Sequence, residues 1–252
     1  MQYNDNQYGQ QPQMARELFP SLWGSQEELD SAVSTCLARV FMRMFAALLV
    51  TAAVSFGIYQ TPGATEYLMS NPILTIAMMI AQVVLVLILA FRVMKMSPTA
   101  SNVMFFIYAI LTGITLSFIF ISYELGTIFQ AFAISALMFG AMAIYGTITK
   151  RDLTGIGSFL RMALIGLIIA SLLNLIFFRN DMMSIIINYV GVLIFVGLTA
   201  YDTQRIKNLL AEANAANAEE AIKKISVMGA LILYLDFINI FLKILAILGR
   251  RR

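Results

Sequence analysis

A chain of 252 residues that is 60% hydrophobic and 12% charged, with a mean hydropathy of +0.82, leaves too little polar surface for a soluble domain. The net charge of +3 and the pI near 9.0 come from basic residues in short clusters between apolar runs, a pattern of membrane orientation rather than of nucleic-acid binding. A single cysteine, Cys36, excludes a disulfide framework and a Cys-based metal site, and the lack of His removes the usual zinc ligand and near-neutral switch.

Residues 1–35 read as a polar, disordered cytoplasmic tail, rich in Gln, Asn and Tyr (MQYNDNQYGQQPQ) and followed by the acidic stretch SQEELD. The tail lacks the basic start and apolar core of a signal peptide. Seven apolar segments follow, at about 40–59, 72–91, 102–122, 128–148, 158–178, 182–203 and 225–248, each near the roughly 20 residues that cross a bilayer core. Residues 36–252 are therefore expected to form an all-α membrane protein, a seven-transmembrane helical bundle. Breakers stand between the runs at Pro62-Gly63, Asn71-Pro72, Ser97-Pro98 and Gly126. Membrane strands are excluded by the length of the runs and by their lack of period-two alternation. Gly113 with Ser117, and Ala136 with Gly140, have the small-xxx-small spacing of close helix contacts. The sixteen Met residues read as packing.

Basic residues set the orientation. With the tail inside, Arg16, Arg39, Arg43, Arg92, Lys95, Lys150, Arg151, Arg205, Lys207, Lys223 and Lys224 all fall on the inner side, and the outer loops hold only Arg179. That bias predicts a cytoplasmic N-terminus. Arg250, Arg251 and Arg252 run against it, because a seventh crossing carries them outside and only a re-entrant segment returns them. A last segment of about 24 residues, some 36 Å as a helix, favours the full crossing.

Two of the fourteen acidic residues lie inside apolar segments: Asp202, in IFVGLTAYDTQRI, and Asp236, in LILYLDFINIFLKIL. A charged carboxylate there costs about 2.5–3.5 kcal/mol on insertion scales unless it is protonated, paired or hydrated. The sixth segment descends to the inner face and the seventh rises from it, which allows both groups a similar depth. Asp236, Asn239 and Lys243 share one helix face at i, i+3 and i+7. Tyr201, Thr203 and Gln204 beside Asp202, and Tyr234 beside Asp236, can supply hydrogen bonds. The plain alternative makes Asp202 an interfacial residue reaching water near Arg205. Asn174 and Asn188 read as interhelical hydrogen-bonding residues first and pathway residues second. Glu66 and Glu124 fall in outer loops.

The strings AYDTQRIK and LYLDFINIFLKIL resemble the Bax inhibitor 1 family, also called the transmembrane Bax inhibitor motif family, and the likeness extends from about residue 40 to 250. The resemblance implies a bundle whose last helix is central, and a di-aspartyl pH sensor, here Asp202 and Asp236, in proteins that leak calcium down its gradient. It also implies an arginine of the second helix that latches the sensor. Arg92 and Lys95, one turn apart, and Arg43 in the first segment are the candidates, against the alternative that all three snorkel to the headgroups. Two close carboxylates cannot both ionise cheaply, so they are expected to share a proton that keeps the path shut. Its loss leaves a negative site able to hold Ca2+ weakly, with help from carbonyls, water or Asn239.

The expected function is thus a pH-sensitive calcium leak channel with no catalytic residues and no cofactor, Ca2+ being the transported ion. Its partners are the lipid bilayer, Ca2+ and H+, with no nucleic acid, and its place is a bacterial cytoplasmic (inner) membrane. The alternative is a membrane-embedded regulator that binds a membrane-bound ATP-dependent protease, a role the resemblance also allows, with the tail as its handle. An enzyme is not expected: the GxGD motif of membrane aspartyl proteases, a Walker loop and HExxH are all missing. A proton-coupled transporter would need repeats or broken helices, which the sequence does not display.

Overall fold

The computed structural model describes residues 20–249, and among these no strand occurs. The elements are α1 (Pro20–Gln60), α2 (Ala64–Ser70), α3 (Pro72–Arg92) with a 3-10 turn (Val93–Lys95), α4 (Pro98–Leu116) and α5 (Ile119–Ser122). Then come α6 (Leu125–Ile148), α7 (Thr154–Leu173) with a π-helical stretch (Asn174–Phe178), α8 (Asp181–Ala215) and α9 (Glu219–Leu248). Seven of the described helices are long and apolar enough to cross a membrane, and the molecule is an all-α membrane protein.

Local chemistry places the breaks where the sequence predicts them. Pro72 and Pro98 open α3 and α4, where a missing N–H leaves no bond unmade, and the Ser97 hydroxyl caps α4 by accepting from the Ala100 amide at 3.2 Å. Gly63 turns the chain after α1 in the left-handed region, at φ 77°. Before α7, Asp152 accepts from both the amide and the hydroxyl of Thr154, and these bonds hold its exposed carboxyl below the usual range.

Three helices outrun their apolar segments. α1 begins at Pro20 and so takes in residues 20–35, part of the expected tail, while residues 1–19 lie outside the described residues. α8 continues through Arg205, Lys207 and Glu212 to Ala215, and α9 starts six residues before its expected limit, at Glu219. Hydropathy ends at the first charges, but Ala, Leu, Glu, Lys and Arg remain good helix formers. Packing also persists beyond the apolar limits: Val33, Leu37, Leu210 and Ala213 belong to the same buried core, and Ile222 packs against it. α9 runs unbroken over 30 residues, so the last segment is one full-length helix and not a re-entrant pair.

The last helix occupies the centre. α9 packs against α8, α1, α6 and α4, and 56% of its most apolar window is buried, against 6% for α3 at the periphery. Exposed Ile73, Ile76, Ile80 and Val83 on α3, with Ile165, Ile168, Ile169 and Leu172 on α7, form the apolar exterior a bilayer requires. Glycine allows the closest crossings. A Cβ at Gly146 of α6 would lie 2.2 Å from the Ala200 carbonyl oxygen of α8, and one at Gly113 of α4 would lie 2.8 Å from that of Thr51 on α1. Of the two small-residue pairs, the first is used at the α1–α4 crossing, whereas Gly140 faces open space.

Gly146→Ala is expected to destabilise the protein by about 1–3 kcal/mol, because the backbones of α6 and α8 must separate. Gly140→Ala should be neutral or stabilising by up to about 1 kcal/mol. Detergent-induced unfolding of the two purified variants measures the difference.

Candidate functional site

Asp202 and Asp236 stand on the two helices that form the most extensive contact in the molecule, α8 and α9. At about 1.5 Å per residue they lie about 20 Å and 26 Å from the turn joining those helices, so the antiparallel pair brings them to similar depth. Asp236 is only 5% exposed, and its Oδ2 is buried without a hydrogen-bond partner. Asp202 is half-buried and close enough to act on Asp236 as a like charge. Next to it the Thr203 hydroxyl is a second buried polar atom lacking a partner. Such orphans are unusual, since buried polar atoms are nearly always satisfied.

The cations that act on Asp202 are Arg205, on its own helix, and Arg161, on α7. Arg161 rests over the Tyr201 ring, 5.2 Å from its centroid, and the ring in turn fills the space a side chain at Gly157 would need. Gly157, Tyr201 and Arg161 therefore lock together, and a one-atom addition at position 157 would displace the ring. Arg161 is not among the latch candidates the sequence offers, although it carries a visible signal as a cation a few residues inside the fifth apolar segment, GSFLRMALIGL.

The three residues considered as latches lie elsewhere. None of Arg92, Lys95 and Arg43 is among the charges acting on either aspartate. Arg92 and Lys95 are exposed at the end of peripheral α3, consistent with the snorkelling alternative. Arg43 is half-buried on α1, and its Nη1 has no partner.

The neighbours read as hydrogen-bond donors also have other partners. Thr51 gives its hydrogen to the Ala109 carbonyl at 2.9 Å, so the 2.7 Å contact with Tyr234 is one that the tyrosine hydroxyl donates. Tyr234 thus ties α9 to α1 and, through Thr51, to α4. Phe105 and Tyr108 meet its ring edge-on. Asn239 donates to the Leu235 carbonyl one turn back, at 2.8 Å. Gln204 is bound to the α6–α7 turn, accepting from the Leu153 amide and donating to the Arg151 carbonyl, and Lys207 donates to the Thr147 carbonyl close by. The sequence could not reveal these choices, because each depends on which helix lies opposite. Among the described residues no group of three or more Cys, Asp or Glu side chains could hold a metal ion, so two carboxylates are the whole acidic set at this place.

With this geometry in view, the chain can be compared with known proteins. The family model described as "Inhibitor of apoptosis-promoting Bax1" matches residues 33–252. The chain is 42% identical over 222 residues to "Inner membrane protein YbhL" of Escherichia coli strain K12, covering 88% of this chain and 94% of the relative. It is also 40% identical over 216 residues to an uncharacterized protein of Borreliella burgdorferi, covering 86% and 92% of the two chains. A third relative, an uncharacterized protein of Deinococcus radiodurans, is 40% identical over 223 residues, covering 88% of this chain and 93% of the relative.

Tyr234→Phe removes one buried hydrogen bond between α9 and α1, and an unfolding experiment should register a loss of about 1 kcal/mol. Thr51→Val, which also abandons the Ala109 carbonyl, should cost more.

Proposed function

The chain belongs to the Bax inhibitor family, and from that membership we propose that it is a multi-pass inner-membrane calcium leak channel gated by a proton shared between Asp202 and Asp236. The observation that carries the reading is the orphaned Oδ2 of Asp236, buried beside a second carboxylate. A proton held by the pair removes one of two like charges and offers a hydrogen bond where no other donor reaches. It also fastens α8 to α9. When the proton leaves, two negative groups repel across the helix contact and attract a cation. Ca2+ takes about six to eight oxygens, so carbonyls and water must complete its shell, and weak binding suits passage.

Arg161 and Arg205 assume the part expected of a second-helix latch. Arg205 lies one turn from Asp202 on α8, and Arg161 of α7 rests over the neighbouring Tyr201 ring. The orientation that fits this reading keeps the basic turns in the cytoplasm, with the α8–α9 turn among them.

A second reading, a regulator bound to a membrane-bound ATP-dependent protease, draws on one specific feature: α1, α8 and α9 run on past their apolar segments as a packed helical stub. Removal of residues 1–19 separates the two readings. Flux should survive that deletion in the leak channel, whereas a regulator gripped through its N-terminus loses control of its protease.

The leak reading is tested with purified protein in liposomes that report Ca2+ entry across a pH series. Flux in the parent protein should rise with pH, by up to about tenfold per unit for one shared proton. Asp202→Asn and Asp236→Asn should flatten the curve, and a double variant that keeps the full response would refute the proposal. Arg161→Gln removes the cation over the Tyr201 ring beside Asp202 and should change the pH response of the flux.

A further inference from the structure

At the end of the bundle opposite the α8–α9 turn, a cavity of about 900 Å3 opens between α7, α8 and α9. Its wall is unlike that of the cavity between α1, α6 and α9, where Leu48, Phe129, Phe132 and Phe241 present hydrocarbon. Here Lys243, Arg179, Asn188 and Asp181 share one space. Lys243 is half-buried, and among the described residues it has no ion pair, since the two ion pairs present join Lys223 to Glu219 and Lys224 to Glu220. Its stem is drawn across α8 at Gly191, where a Cβ would stand 3.2 Å from both Cδ and Cε. A lysine that merely reached for the bilayer surface would extend along its own helix. This one is turned inward.

The second cation is fixed by a hydrogen-bonded turn. Asn174 closes the π-helical stretch by accepting the Arg179 amide on its carbonyl at 2.6 Å. Its side chain accepts the Asn180 amide at 3.1 Å and donates to Ser184 at 2.8 Å. These bonds hold Arg179 in the left-handed region, at φ 46° and ψ 38°, a conformation that costs a non-glycine residue energy and needs such support. Asn188 adds a half-buried amide on the wall. Beyond Gly249, which also lines the space, the sequence continues as Arg250, Arg251 and Arg252.

We propose that this cavity, with Lys243 at its base and Arg179 at its rim, is a binding site for a phosphate anion. Lysine meets phosphate as a compact charge and arginine as a planar fork, and the pair outnumbers the single carboxylate of Asp181. The volume exceeds what a lone phosphate fills. Leu175 and Ile185 line the same space, and exposed Ile176, Phe177 and Phe178 lie beside it, so the phosphodiester of a phospholipid can enter with its chains against the helices. The site is separate from the aspartate pair and does not rest on the leak reading.

Delipidated full-length protein in detergent is titrated with short-chain phosphatidylglycerol, with the matching diacylglycerol that lacks phosphate, and with inorganic phosphate, binding being read from the rise in Tm. The phosphate site predicts a rise with phosphatidylglycerol and little or none with diacylglycerol. Lys243→Gln should weaken the response at least tenfold, while Lys243→Arg retains it. Inorganic phosphate alone reproducing the response identifies a soluble source, and a response confined to phosphatidylglycerol identifies the lipid. Equal responses to the two lipids, or a folded Lys243→Gln variant that binds like the parent, would overturn the assignment. Should Lys243→Gln fail to fold, Arg179→Gln is titrated in its place, and parent-like binding there overturns it equally.

Discussion

A carboxyl group in the middle of the most buried helix governs much of what this molecule can be. Asp236 is surrounded by Leu233, Phe237 and Ile240, which pack as an ordinary apolar core. A charge in that environment costs several kcal/mol, and among the described residues no cation acts on it. Among the described residues, the ionisable group that acts on it is another carboxylate, Asp202. The contact between α8 and α9 therefore contains an electrostatic conflict that a proton or a cation can relieve. The rest of the bundle holds the two helices close enough for that conflict to persist.

That restraint comes from opposite sides. On one flank, the Tyr234–Thr51–Ala109 chain of hydrogen bonds joins α9 to α1 and α4, and aromatic edges seal the tyrosine in place. On the other, α8 is held to α6 by the Gly146 crossing and to the α6–α7 turn by Gln204 and Lys207. These ties bind α8 and α9 to different neighbours.

The bundle is also electrically uneven along its length. One end carries most of the basic turns and the packed stub of α1, α8 and α9. The other carries fewer charges, but it places Lys243 and Arg179 around a cavity with Asp181 as the single acid among its described lining residues. A membrane offers phosphate at its surface, and a half-buried lysine with no ion pair among the described residues is chemically suited to it.

The sequence by itself determined the class, the number of crossings and the two carboxylates out of place. Hydropathy over some twenty residues is a sum, insensitive to neighbours, and an acid inside such a run stands out whatever lies opposite. The helix breaks were legible for a similar reason, since Pro72, Pro98 and Gly63 act through their own backbone. Extensions of α1, α8 and α9 were not legible, because charged helix formers look like loops until buried residues such as Leu210 and Ala213 find a partner. Only the tertiary structure decided that Arg161, rather than Arg92 or Lys95, neighbours Asp202, and that Tyr234 belongs to Thr51. Those assignments depend on which helices face one another, and a pattern of single residues along a chain does not encode the rotation and order of seven packed cylinders.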